Sequence, residues 1–165
     1  MSKKLEDLKP VVAEAAGRAL HDLKTDDVQV VVTYTLRTYE EQAALYAQGR
    51  KSLAEVNALR VKAGLAAIKE YLGKDKKIHS DNDYTVTNAD GIALAAGGKG
   101  RSPHQLGTAL DVVPDMDESE KEVPGWPAPS DERWGKIARA FKKYGFEWGG
   151  DWKDSPDYPH YQYKG

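Results

Sequence analysis

Two short stretches of this chain gather the residue types from which a hydrolytic centre can be built. The chain has four histidines, His21, His79, His104 and His160. One of them stands in Ser102-Pro103-His104-Gln105-Leu106-Gly107-Thr108-Ala109-Leu110-Asp111, another in Asp157-Tyr158-Pro159-His160. His104 and Asp111 are seven residues apart. A straight strand would put them on opposite faces, because side chains alternate along it. A turn at Gly107 removes that conflict and lets both point into one cleft. Asp111 lies among Ala109, Leu110, Val112 and Val113. A carboxylate in so apolar a strand costs free energy unless it is paired or bound to a metal.

His160 brings a second imidazole, three residues after Asp157. Two histidines and one carboxylate form a set like those of catalytic zinc sites, which leave a fourth position open to water. Zinc lowers the pKa of such a water toward ~7 and polarises a carbonyl. An acid beside the site that is not itself a ligand can carry the proton to a leaving amine. Asp157 is placed for that, and Pro159 stiffens the intervening turn. Residue types and spacing alone also admit a structural reading, in which His104 caps a turn, Asp111 pairs with an arginine and His160 is a partly buried histidine on an edge strand. The donor types suit several divalent ions besides zinc.

Composition narrows the classes of function. The chain has 165 residues, a net charge of −2 and no cysteine. At roughly 150 residues per domain, one domain is expected over 1–165. The charge balance is not that of a dedicated nucleic-acid binder. Absence of cysteine excludes a disulfide scaffold, thiolate zinc sites and a cysteine nucleophile. The most apolar runs, Val28 to Val32 and Ala63 to Ile68, are far shorter than the ~20 residues of a spanning helix, so no membrane insertion is expected. The N-terminus lacks an apolar core with a small-residue cleavage site, so no secretory signal is read there.

The elements that must position these residues follow from periodicity. Leu5, Leu8, Val12, Ala16, Ala19 and Leu23 recur at helical steps, with a break near Lys9 and Pro10 as a first helical residue. Val28 to Thr35 reads as a strand. Thr38 with Glu41, and Ser52 with Glu55, are capping boxes that open two helices, ending near Gly49 and Gly64. A short helix is expected from Leu65 to Leu72, a solvated turn at Lys74 to Lys77 and a short strand at Tyr84 to Thr87. Residues 89–101, with Gly97-Gly98-Lys99-Gly100, read as a tightly bending loop without the signature of a phosphate cradle. Ala109 to Val113 is a strand, and proline-rich 114–131 a surface loop. Trp134 to Tyr144 is a helix stopped by Gly145, and Phe146 to Trp148 and His160 to Tyr163 are strands. The order predicts an α+β fold: a small, mainly antiparallel sheet flanked by helices, with a helical insert near 51–83. His21 is read as a cation near a helix end. The acids around His79 lack the spacing of a calcium loop.

The sequence resembles the zinc D,L- and D,D-peptidases of bacterial cell-wall metabolism. That family includes D-alanyl-D-alanine carboxypeptidases and the L-alanyl-D-glutamate endopeptidases used as phage endolysins. Three blocks carry the likeness, in order: Thr35 to Gln42 with Leu45 to Arg50; Ser102 to Asp111, which follows a Ser-x-His-x-x-Gly-x-Ala-x-Asp pattern; and Trp148 to Trp152 followed by Asp157 to Tyr161. The resemblance implies a fold of the hedgehog and D-Ala-D-Ala-peptidase type. It implies one catalytic Zn2+ held by His104, Asp111 and His160, with Asp157 as the general base. Arg37 would hold the substrate carbonyl or developing oxyanion, Ser102 would line the substrate site, and the tryptophans, Trp152 among them, would wall the cleft. Asp151 and Asp154 are read as turn acids.

The Trp-Gly-Gly-Asp-Trp block is closer to the L-alanyl-D-glutamate endopeptidases. Pro103 and Gln105 depart from the aromatic residue and Asn of many endolysins, and Gln at that place occurs in D,D-carboxypeptidases. The implied activity is hydrolysis of the L-alanyl-D-glutamate bond of peptidoglycan stem peptides. Its alternatives are a D-alanyl-D-alanine carboxypeptidase and a non-catalytic zinc module that binds cell wall or a partner. A single peptidase domain is expected, without a cell-wall-binding module. The expectation is a monomer made in the cytoplasm and acting in the periplasm after holin-type release.

Overall fold

Pro10 opens the first helix because its fixed φ suits a first helical residue and its missing N–H is not needed there. The result is α1, Pro10–Thr25, preceded by a 3-10 turn at Leu5–Asp7. Its buried side chains Val12, Ala16, Ala19 and Leu23 form one stripe at steps of three and four. The structure is a computed structural model and describes residues 1–83, 102–117 and 121–165. The strand expected at Tyr84 to Thr87 and the glycine-rich loop at 89–101 lie outside the described residues.

The described chain divides into two compact units, Met1–Leu36 with Leu106–Gly165, and Arg37–Gln105. The first unit holds β1 (Val30–Tyr34), β4 (Ala109–Pro114), α4 (Glu132–Lys143), β5 (Phe146–Trp148) and β6 (His160–Tyr163) besides α1. Its strands form a sheet in the order β1-β4-β6-β5, with every neighbouring pair antiparallel. α1 and α4 pack together, and the Asp22 carboxylate at the end of α1 accepts from Lys143 Nζ at 2.7 Å and Tyr144 Oη at 2.9 Å. Tyr161 of β6 stacks on Phe141 of α4 at 4.5 Å, and Phe146 meets the same ring edge-on at 5.2 Å. Burying a ring such as Phe141 contributes about 1.5–3 kcal/mol. Because side chains alternate, Tyr161 on the helix-covered face sends His160 and Gln162 to the opposite face.

The second unit opens on the two expected capping boxes. Thr38 caps α2 (Tyr39–Ala47) and Ser52 caps α3 (Leu53–Lys62), each with the reciprocal glutamate in place. Val56, Ala47 and Ile68 form its small apolar cluster. The helix expected at Leu65 to Leu72 is not formed. Residues 70–72 are a strand, β2 (Glu70–Leu72), paired antiparallel with β3 (Ile78–Ser80). Leu65, Ile68 and Leu72 mimic a helical period over too short a window. Lys76 adopts φ 61° in the turn, the Gly73 N–H donates to the Lys77 carbonyl at 2.8 Å, and Tyr71 meets the His79 ring across the hairpin. The Asn57 side chain takes both backbone groups of Ile68, fixing the stretch before the hairpin as non-helical. The segment 51–83, expected as a helical insert, therefore holds one α-helix, a hairpin and a 3-10 turn at Asp81–Asp83.

Candidate metal centre

Asp111 sits in the middle of β4 and its Cα partner on β6 is His160. Register alone therefore puts a carboxylate beside an imidazole on one face of the sheet. His160 Nδ1 lies 3.3 Å from Asp111 Oδ1, with both side chains largely buried. Burial works against the imidazolium, yet hydrogen bonding to Asp111, the charges of Asp111 and Asp157, and the Gln162 side chain hold the His160 pKa above its ordinary value. His104 arrives on the turn that leads into β4. Gly107 takes φ 64° there, and its carbonyl accepts from the Lys9 N–H at 2.9 Å. A side chain at Gly107 would be strained by that φ, which favours glycine.

His104, Asp111 and His160 each offer one ligand atom, and these atoms all lie within 4.8 Å of one another. His104 and His160 are 3% and 6% exposed. Two buried imidazoles converging on a carboxylate fit a divalent ion of the zinc type, and a metal explains why an acid stands in an apolar strand.

Asp157 belongs to the loop between β5 and β6. Its carbonyl accepts from the His160 N–H at 3.2 Å, and its N–H donates to the Gly149 carbonyl at 3.0 Å. A Cβ on Gly149 would lie 2.5 Å from the Asp157 carbonyl oxygen, so only glycine allows this approach. Tyr158 is wedged between Trp134 and Trp148, and the Trp148 indole donates to its carbonyl at 2.8 Å. The aromatic residues of the third block thus hold the loop that carries Asp157. The Trp152 ring lies 5.2 Å from the His160 ring. Asp151 pairs with Lys142, as a turn acid would.

Arg37 begins the second unit. Its N–H donates to the His104 carbonyl at 3.3 Å, and its Nη1 donates to Gln42 Oε1 at 2.9 Å. The first and second sequence blocks are in contact through that bond. Ser102 is buried in a tight turn closed by Gln105 N–H to the Ser102 carbonyl at 2.8 Å. Two residues that the sequence reading passed over stand behind His160. Gln162 Oε1 lies 3.4 Å from His160 Nε2, and Gln162 Nε2 donates to Glu147 Oε2 at 2.7 Å. The signal was present, since Gln162 is two residues after His160 on a strand and shares its face.

Known proteins similar to this chain are cell-wall peptidases. A family model described as D-alanyl-D-alanine carboxypeptidase matches residues 96–163. The chain is 28% identical over 163 residues to the peptidoglycan L-alanyl-D-glutamate endopeptidase CwlK of Bacillus subtilis, covering 93% of this chain and 72% of that protein. It is 34% identical over 122 residues to the L-alanyl-D-glutamate peptidase of Listeria phage A118, covering 70% of this chain and 42% of that one. A solved structure of the vancomycin resistance D,D-pentapeptidase VanY in complex with Zn(II) shares the fold, with a TM-score of 0.52 at 20% identity over 96% of this chain and 73% of that chain. Sequence blocks and relatives make the chain similar to the cell-wall peptidases, D-alanyl-D-alanine carboxypeptidases and L-alanyl-D-glutamate peptidases among them, and the solved structure shows that it shares their fold.

Proposed function

We propose that this peptidase is a zinc-dependent endopeptidase that hydrolyses the L-alanyl-D-glutamate bond of peptidoglycan stem peptides. The observation that carries the reading is the convergence of His104, Asp111 and His160 within 4.8 Å. The bond assignment draws on the two L-alanyl-D-glutamate peptidases among the relatives. His104, Asp111 and His160 are the proposed ligands. A zinc ion held by such a set supplies Lewis acidity and a water of lowered pKa. Asp157 is the proposed proton carrier, taking a proton from the attacking water and delivering it to the departing amine. Arg37 is assigned to the charge that develops on the carbonyl oxygen, where a fixed cation lowers the barrier. Ser102 and Trp152 are assigned to the walls of the substrate site, in one peptidase domain over 1–165.

The likeness to a phage peptidase favours a role in lysis. The delivery that goes with this reading is a monomer reaching the cell wall from the periplasm after holin-type release. Among the described residues no helix is long and apolar enough to cross a membrane. The description of the matching family model favours a second reading, removal of a terminal D-alanine.

Mass spectrometry of Gram-negative peptidoglycan incubated with the protein, with and without a chelator, separates these readings. Chelator-sensitive cleavage between L-alanine and D-glutamate is the expected outcome. Loss of a terminal D-alanine alone moves the protein to the carboxypeptidases. Intact peptidoglycan in the presence of bound zinc overturns both and leaves a binding module.

A further inference from the structure

The orientation of one amide has consequences for His160. Glu147 on β5 is the Cα partner of Gln162 on β6. A carboxylate can only accept hydrogen bonds, so the group of Gln162 that lies 2.7 Å from Glu147 Oε2 must be its NH2. That choice turns the amide oxygen toward His160, where Oε1 lies 3.4 Å from Nε2. An amide oxygen also only accepts, so the ring nitrogen facing it is the protonated one. The remaining nitrogen, Nδ1, lies 3.3 Å from Asp111 Oδ1, on the side of the His104–Asp111–His160 cluster.

A competing arrangement stands beside it. The Asp111 carboxylate is itself an acceptor within reach of Nδ1. With nothing at Nε2, a neutral His160 ring would put its proton on Nδ1, toward Asp111. The lone pair would then face away from the cluster, and a metal would have to displace that proton.

We propose that Glu147 and Gln162 are positioning residues for the metal centre: Glu147 orients the Gln162 amide, and the amide holds a proton on His160 Nε2, so that Nδ1 is presented as the ligand atom. This rests on the metal-centre reading of the proposed function and extends it to two residues outside the proposed ligand set. Glu147 is well suited to the part. Hydrogen bonding from Gln162, and then from Lys164 and Trp152, holds its carboxyl below the ordinary range, so it stays an acceptor at neutral pH. Lys164 Nζ lies 3.2 Å from the same carboxylate.

The test has two readouts. Nitrogen NMR of the histidine rings in metal-free protein, at a pH where His160 is neutral, reports which nitrogen bears the proton. Zinc titration against a chromophoric chelator reports affinity. Gln162→Met removes the acceptor at similar volume, and Glu147→Gln frees the Gln162 amide to invert. The expected result is a shift of the His160 proton from Nε2 toward Nδ1 in both variants. Zinc affinity should weaken by ~10–100-fold in Gln162→Met, as for outer partners of metal-bound histidines. Glu147→Gln alters a side chain 41% exposed, so it keeps the test valid should Gln162→Met fold poorly. An unmoved proton, or an unmoved affinity in a variant whose proton has moved, overturns the proposal. Wild-type protein that binds no zinc overturns the metal-centre reading instead, and the NMR arm then judges the Glu147–Gln162 arrangement alone.

Discussion

A carboxylate in the middle of an apolar strand needs a compensating partner, and Asp111 has His160 across the ladder and His104 within reach. Removing one of the proposed ligands should therefore cost metal as well as activity. His104→Ala is expected to lose bound zinc, measured by elemental analysis, and to lose peptidoglycan cleavage with it. Full metal content in that variant would sink the ligand set. Asp157→Ala should behave differently, keeping zinc while activity falls by ~10²–10⁴-fold, the usual worth of a positioned acid or base. Gly149 gives a subtler handle on the same loop. A Cβ there would meet the Asp157 carbonyl at 2.5 Å and His160 Cβ at 3.1 Å. Gly149→Ala should thus displace Asp157 and lower turnover in the digest without altering any polar group of the site.

At the scale of elements, capping and core packing supply the rigid frame, and each leaves a measurable mark. Asp131 caps α4 by accepting from the Arg133 N–H at 3.0 Å. The Arg133 guanidinium and that N–H lower its pKa from 3.8 to about 2. Because the folded value lies below the unfolded one, the cap stabilises above pH ~4 and its contribution is lost as pH falls toward 2. Asp131→Ala should lower Tm by about 2–4 °C at neutral pH. Melting curves of the two proteins should converge between pH ~4 and ~2; a gap that persists at pH ~2 would show the effect is not the carboxylate's charge. Tyr161 makes the opposite case. Its ring is fully buried against Phe141, and its hydroxyl has no hydrogen-bond partner among the described residues. Tyr161→Phe removes a buried polar atom without opening a cavity. Denaturant unfolding should find it equal to or more stable than wild type, by up to ~1–3 kcal/mol.

For the molecule as a whole, a metal held at the proposed site would be linked to folding. An ion that binds the folded chain at a hundred times its Kd adds ~2.7 kcal/mol to stability. Chelation should accordingly lower Tm by roughly 5–10 °C for a chain of this size. A Tm indifferent to chelator would mean that no ion is held by the native fold.

Much of this was legible in the residues. Both capping boxes, Pro10 at the head of α1, and the strands at β1, β4, β5 and β6 follow from local chemistry acting over a few residues. Of the cluster, Asp111 was the legible part, a carboxylate in an apolar strand; His104 and His160 were tied to it by the resemblance, and the structure brings the three within 4.8 Å of one another. The stretch 65–72 misled because three apolar residues at helical spacing carry little energy against a turn and a cross-strand contact formed with residues 78–80.

The sequence by itself therefore determined the elements with local causes, the chemical types at the site and the resemblance to cell-wall peptidases. Only the tertiary structure decided the strand order β1-β4-β6-β5, which sets Asp111 opposite His160 and Gln162 opposite Glu147. Register is a property of pairs of strands, and 49 residues separate Asp111 from His160 along the chain. No local propensity acts over that distance; the buried face carrying Leu110 and Tyr161 does, because a slip of one residue would turn those side chains to the wrong side.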